Sequence, residues 1–159
     1  LLGVMFAIYW SRKSIDLHFL KLTDFTVLYV PIGLFFGRIG NFINSELYGM
    51  PTNSSWGVIF PLLDNIPRHP SMLYEALLEG IILFLILLSL SRKHSITPGF
   101  LTSIFLIFYS IFRFMVEFVK ESQGGFGEQL VYLSTGQWLS IPLILLGIGL
   151  VLLSFKKKA

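Results

Sequence analysis

The sequence predicts an all-α, polytopic transmembrane protein: four full spans, one partial span and a small outward-facing loop cap. Three observations carry that expectation. Of 159 residues, 54% are apolar and only 13% are charged, against about 25% charged in an ordinary soluble domain. The mean hydropathy is +0.75. The uncharged residues are gathered into long runs, including the eighteen from Ser95 to Phe112 and the twenty-seven from Gln129 to Phe155. A helix needs ~20 mostly apolar residues to cross a bilayer.

The elements follow in order. LLGVMFAIYW, residues 1–10, is apolar, but ten helical residues reach only ~15 Å, about half of a ~30 Å hydrocarbon core. It reads as the tail of a partial span, and the chain as a fragment. Fuller spans are expected over about Asp24–Ile43, Ser71–Ser91, Pro98–Val119 and Thr135–Phe155. Pro98 and Pro142 are expected near helix starts, where a missing N–H matters least. The whole chain, 1–159, is expected to form one transmembrane domain. Loops 45–70 and 121–134 project on one side, the former with a short strand at Trp56–Phe60.

Charge sets the orientation. Five segments alternate sides, which puts Lys21, Arg12-Lys13, Arg92-Lys93 and Lys156-Lys157-Lys158 together, eight of the twelve basic residues. The positive-inside rule makes that side, and the C-terminus, cytoplasmic. The other four, Arg38, Arg68, Arg113 and Lys120, lie at outer span ends, where topology does not ask for them.

Other chemistry is excluded. A net charge of +3 needs no nucleic acid, since cations at membrane borders account for it. With no cysteine there is no disulfide, thiol nucleophile or cysteine-ligated metal. No metal-ligand cluster, phosphate-cradling glycine loop, serine triad or internal repeat is visible, so no metal or cofactor is expected.

Three stretches carry candidate chemistry. The first is GRIGNFINSELYG, Gly37 to Gly49. At a helical period Arg38, Asn41, Asn44 and Ser45 share a face with Gly37 and Gly40, opposite Ile39, Phe42 and Ile43. Glu46 would fall on the apolar side, so the helix is expected to end before it. The glycines leave room for a second helix or a ligand. An arginine at mid-span costs ~2.5–3.5 kcal/mol on insertion scales; nearer the interface its stem snorkels. Arg38 is therefore either a headgroup anchor or part of an anion site lined by amides.

The second is IFRFMVEFVK, where Arg113 and Glu117 are i and i+4 and share a face. They form either a self-contained ion pair or, with Arg38, a two-armed clamp for phosphate oxygens. The third is RHPSMLYEALLEG, with Glu75 and Glu79 again four apart and Tyr74 beside them. Glu75 could instead cap the helix or pair with Arg68. His69 could be a base or a loop residue, and Gln137-Trp138 could anchor the last span or add an amide to the site. By residues alone this is an outward-facing pocket for an anionic lipid or solute, and an enzyme and a transporter or flippase subunit stay open.

GRIGNFINSELYG resembles the signature of bacterial prolipoprotein diacylglyceryl transferases, with Arg38, Asn41, Phe42, Asn44, Glu46 and Gly49 at the expected spacing. RHPSMLYEA, RFMVEF and TGQWLS resemble further blocks of that family in the right order, and the similarity covers essentially the whole chain. Met72 stands where the family more usually has glutamine. LLGVM resembles the continuation after the family's His-Gly-Gly motif, which implies that two spans, part of a third and that histidine, the usual candidate base, lie upstream.

The resemblance implies a multi-pass protein of the bacterial cytoplasmic membrane with its active site near the outer leaflet. It would move a diacylglyceryl group from phosphatidylglycerol to the lipobox cysteine of a prolipoprotein, releasing glycerol phosphate, without a cofactor. It also implies roles: Arg38 and Arg113 as the clamp on the headgroup and leaving group, and Asn41 and Glu46 orienting glycerol hydroxyls or Arg38. Glu117 would fix Arg113, and Asn44, Gly49, Tyr74 and Glu75 would line the substrate site. Glu46 is counted with Arg38 and Arg113 as catalytic.

Overall fold

A computed structural model of the chain describes residues 3, 6, 7, 9, 10, 19–93, 97–121 and 133–156. Among them, four helical stretches are long and apolar enough to cross a membrane: Phe19–Ile43, Ser71–Ser91, Phe100–Val119 and Thr135–Ser154. The protein is a polytopic helical membrane protein, as its composition predicts. Half of the partial span over residues 1–10, nearly all of loop 121–134, Arg12-Lys13 and Lys157-Lys158 lie outside the described residues.

Helix α1 (Phe19–Ile43) starts earlier than the hydropathy pattern suggests, so Asp24 falls inside it. Its charge is spent on another helix. Asp24 is buried; its Oδ2 accepts the Gly99 N–H at 2.7 Å, and its Oδ1 accepts the Thr102 N–H at 2.8 Å and hydroxyl at 2.6 Å. These are the free donors at the start of α4 (Phe100–Val116), where a carboxylate also suits the helix dipole. Gly99 turns into α4 at φ 94°, a conformation that favours glycine.

The second span is built in three parts: α2 (Ser71–Glu75), a π-helical segment (Ala76–Ile82) and α3 (Leu83–Ser91). Single π turns inside helices recur at functional sites. A 3-10 turn, Glu117–Val119, follows α4, and α5 runs over Thr135–Lys156. A reciprocal capping box opens α5: Ser134 Oγ accepts the Gln137 N–H and Gln137 Oε1 accepts the Ser134 N–H. That corrects the expectation for Pro142, which sits two turns inside α5 rather than near its start. Pro31 is likewise interior to α1. Neighbouring helices make such prolines tolerable in membrane spans.

The core gathers Leu83 and Leu87 of α3 and Leu101 of α4, with Val27, Leu28 and Phe105 packed against them. Small residues mark the closest crossings. A Cβ on Gly80 would lie 2.7 Å from Phe35 Cβ of α1, and one on Gly147 of α5 would lie 2.7 Å from Ile107 Cγ1 of α4.

The loop after α1 folds back as a cap. Ser45 and Leu47 both adopt φ 58°, which reverses the chain. The expected strand appears as β1 (Val58–Ile59), antiparallel to β2 (Pro67–Arg68). Arg68 rivets the cap: its Nη2 reaches Asp64 Oδ2 and its Nη1 reaches Glu121 Oε2, each at 2.7 Å, and its guanidinium stacks over Tyr48. The hydrogen bond from Arg68 holds the Asp64 carboxyl below the ordinary range.

Losing a hydrogen bond to a charged group costs about 1.5–3 kcal/mol. Asp24→Ala in the detergent-purified protein is therefore expected to lower the thermal midpoint clearly, and Thr102→Val, which removes one of the three bonds, to lower it less. An unchanged midpoint for Asp24→Ala would show that the cap across helices contributes nothing.

Candidate active site

Of the four cations expected at outer span ends, three converge where the cap meets the bundle. Their common partner is Glu75, at the end of α2, whose side chain is 0% exposed. Glu75 Oε1 accepts from Arg113 Nη1 of α4 and from Lys120 Nζ at 3.1 Å. Its Oε2 lies 3.1 Å from Arg38 Nε of α1. Below it, on the π-helical segment, Glu79 is also 0% exposed, with Oε2 3.6 Å from Arg38 Nη2 and Oε1 4.0 Å from Arg113 Nη1. Glu117 Oε2 lies 3.4 Å from Arg113 Nη2. Three cations thus face three carboxylates.

The two arginines do meet, but not as an open fork: Glu75 is held between them. The pairing of Glu75 with Arg68 does not form, because Arg68 is engaged by Asp64 and Glu121. Arg38 and Arg113 keep 16% and 19% of their side-chain surface while Glu75 and Glu79 keep none, so an incoming anion meets the guanidinium groups first. Burial pushes the Lys120 ammonium down to about 8; Arg113 and Arg38 push the same way, while Glu117 and Glu79 oppose it.

Other predicted residues surround this cluster. α1 ends at Ile43, and Glu46 folds back so that Asn41 Nδ2 donates to its Oε2 at 3.2 Å. Glu46 thus holds Asn41 rather than Arg38. Asn44 is exposed at the helix end. No described atom lies within 4 Å of a Cβ built on Gly37 or Gly40, so no described helix packs against that face beside Arg38.

Gly49 is a crossing point of backbones. Its N–H donates to His69 O at 2.8 Å, Met50 N–H donates to Val119 O at 2.9 Å, and Gly49 bridges to Lys120. The cap therefore locates Lys120. Gly136, in the TGQW stretch, gives space to Glu117: a Cβ there would lie 2.5 Å from Glu117 Oε2. Gln137 is used in its capping box, which accounts for its amide without the site.

Tyr74 points the other way. Its hydroxyl accepts from Trp56 Nε1 at 2.9 Å and meets His69 Nδ1 at 3.1 Å. This chain rims an apolar cavity of about 460 Å³, walled opposite by Met115, Val116 and Val119. Sequence reasoning underrated two members of the cluster, Glu79 and Lys120. Both carried a signal: Glu79 repeats Glu75 at helical spacing, and Lys120 is one of the four cations topology does not need.

Overpacking a tight site costs about 1–3 kcal/mol. Gly49→Ala, whose Cβ would fall 2.5 Å from Val119 O, is expected to lower the melting midpoint and open the cap to protease. Gly40→Ala in α1 is expected to hold or raise the midpoint, since alanine gains up to about 1 kcal/mol of helix propensity over glycine. Equal midpoints for the two variants would refute the crossing geometry.

The chain is similar to known proteins along nearly its whole length. The family profile described as prolipoprotein diacylglyceryl transferase matches residues 1–153. A Cupriavidus pinatubonensis protein named phosphatidylglycerol–prolipoprotein diacylglyceryl transferase is 46% identical over 159 residues, covering 99% of this chain and 57% of the relative. Relatives of the same name from Rickettsia felis and Idiomarina loihiensis are 50% and 45% identical, over 94% and 99% of this chain and 59% of their own lengths. The chain thus spans well under two thirds of the relatives it matches. On the extent of that match, the chain belongs to the prolipoprotein diacylglyceryl transferase family.

Proposed function

We propose that the protein carrying this chain transfers the diacylglyceryl group of phosphatidylglycerol to the lipobox cysteine thiol of a prolipoprotein and releases glycerol phosphate. The convergence of Arg38, Arg113 and Lys120 on one buried carboxylate, in a chain of this family, carries the reading. The relatives' names point the same way, and the transporter reading draws no support from them. The protein sits in the bacterial cytoplasmic membrane with its C-terminus inside, and the cluster works near the outer leaflet.

The chemistry follows from the charges. The thiol loses its proton to a base, since thiolate is the nucleophile. Its sulfur attacks the glyceryl carbon bearing the phosphodiester; a C–S bond forms, the C–O bond breaks, and the leaving phosphate keeps the electron pair. Negative charge grows on that phosphate. Preorganised donors aimed at growing charge are an enzyme's largest single lever. Arg38 and Arg113 supply them, and the diester takes the place of Glu75 between their guanidinium groups. Glu117 holds Arg113, and the Asn41–Glu46 pair offers amide and carboxylate groups to the glycerol hydroxyls. Asn44 and Gly49 border the same site, while Tyr74 faces the apolar cavity beside it rather than the clamp.

Two outcomes are expected. Arg113→Lys in the full-length protein should lose about two orders of magnitude in transfer to a lipobox peptide, because an ammonium cannot reproduce the guanidinium fork. Near-normal transfer would sink the clamp. Phosphatidylglycerol affinity should also weaken as pH rises through about 8. Lys120 then loses its proton, and a cluster of three cations and three carboxylates becomes net negative. Lys120→Arg, charged throughout, should flatten that limb; a limb unchanged in Lys120→Arg would assign it to another group.

A further inference from the structure

We infer that Glu79 is a positioning residue, a shared counter-ion that holds both guanidinium groups in place from inside the bundle when a substrate phosphate displaces Glu75. The inference rests on the clamp reading above and extends it to a residue outside the predicted site.

Glu79 is the one described residue besides Glu75 that pairs with both arginines. Neither of its oxygens has a hydrogen-bond partner among the described residues, so its burial is compensated by nearby cations: the two arginines in contact and Lys120 further off. A bare carboxylate in such a place is costly unless paired. Its backbone is pinned: Gly80, the next residue, meets Phe35 of α1 so closely that a Cβ would lie 2.7 Å from Phe35 Cβ. Glu75 is placed differently. It ends α2 on the side of the cap, and its Oε1 also bonds Lys120, which it can follow when an anion takes the arginines. One carboxylate is therefore free to yield, and the other stays. Without Glu79, two arginines from separate spans would face each other across the site with only the substrate between them. Their repulsion would splay the fork.

The test uses the full-length protein in detergent, with phosphatidylglycerol and a lipobox peptide. Rate constants are measured for the unaltered enzyme, Glu79→Gln, Glu79→Asp, Arg113→Lys and the double variant Arg113→Lys with Glu79→Gln. Glu79→Gln is expected to lower kcat about tenfold or more with little change in KM, as fits a group acting on transition-state geometry. Glu79→Asp, which keeps the charge, is expected to recover part of it. In the Arg113→Lys background the Glu79 effect should shrink to about threefold or less, because residues that act through each other are not additive.

Unchanged kcat in Glu79→Gln, or an equal loss in both backgrounds, overturns the inference and leaves the clamp standing. Normal transfer by Arg113→Lys overturns the clamp itself, and the inference with it. Melting midpoints separate packing from positioning: a loss that vanishes on cooling below the variant's midpoint is a packing effect and overturns the inference. Should Glu79→Gln fail to fold, Glu79→Asp decides, with unchanged kcat counting against.

Discussion

Glu75 is a carboxylate with no exposed surface and three cations around it, drawn from α1, from α4 and from the residue after its 3-10 turn. Such a group must be paired, because a lone buried charge is far costlier than any other feature of this bundle. Each partner is equally bound by it. Arg38 and Arg113 sit in spans that hydrocarbon would otherwise penalise, and Lys120 is held by the cap through the Gly49 crossing. The cluster is thus the point where three spans and the cap are fastened, and the rest of the fold serves it.

The fastening uses the same physics at both ends of the bundle. At the cap end, carboxylates on the second span hold cations from two others. At the opposite end, Asp24 of α1 holds the free donors at the start of α4. Between them the helices approach through small residues and an aliphatic core. Helices in lipid gain little from burying apolar surface against each other, so packing and polar contacts carry specificity. The arginines need an anion as a counter-charge in the folded bundle, and Glu75 supplies it. On the proposed function, substrate binding would exchange one anion for another.

Much of this was legible in the residues. Long uncharged runs located the four spans, and GRIGNFINSELYG predicted a helix ending before Glu46, where α1 does end. The four cations unexplained by topology flagged the cluster. The role of Arg68 was not legible, because its partners Asp64 and Glu121 come from the cap and from beyond α4. Nor was that of Asp24, whose donors lie some seventy-five residues away.

The sequence by itself determined the membrane class, the spans and the list of charged groups that had to be explained. Hydropathy and helical period are local, and hydrocarbon punishes exceptions strongly enough to make each one visible. Only the tertiary structure decided which charge meets which. The pairing of Glu75 with Arg38, Arg113 and Lys120, and the choice of Asp64 for Arg68, depend on how the spans cross and where the cap folds back. Those crossings are set by contacts between distant residues, such as Gly80 with Phe35 and Gly49 with Val119, which no local pattern encodes.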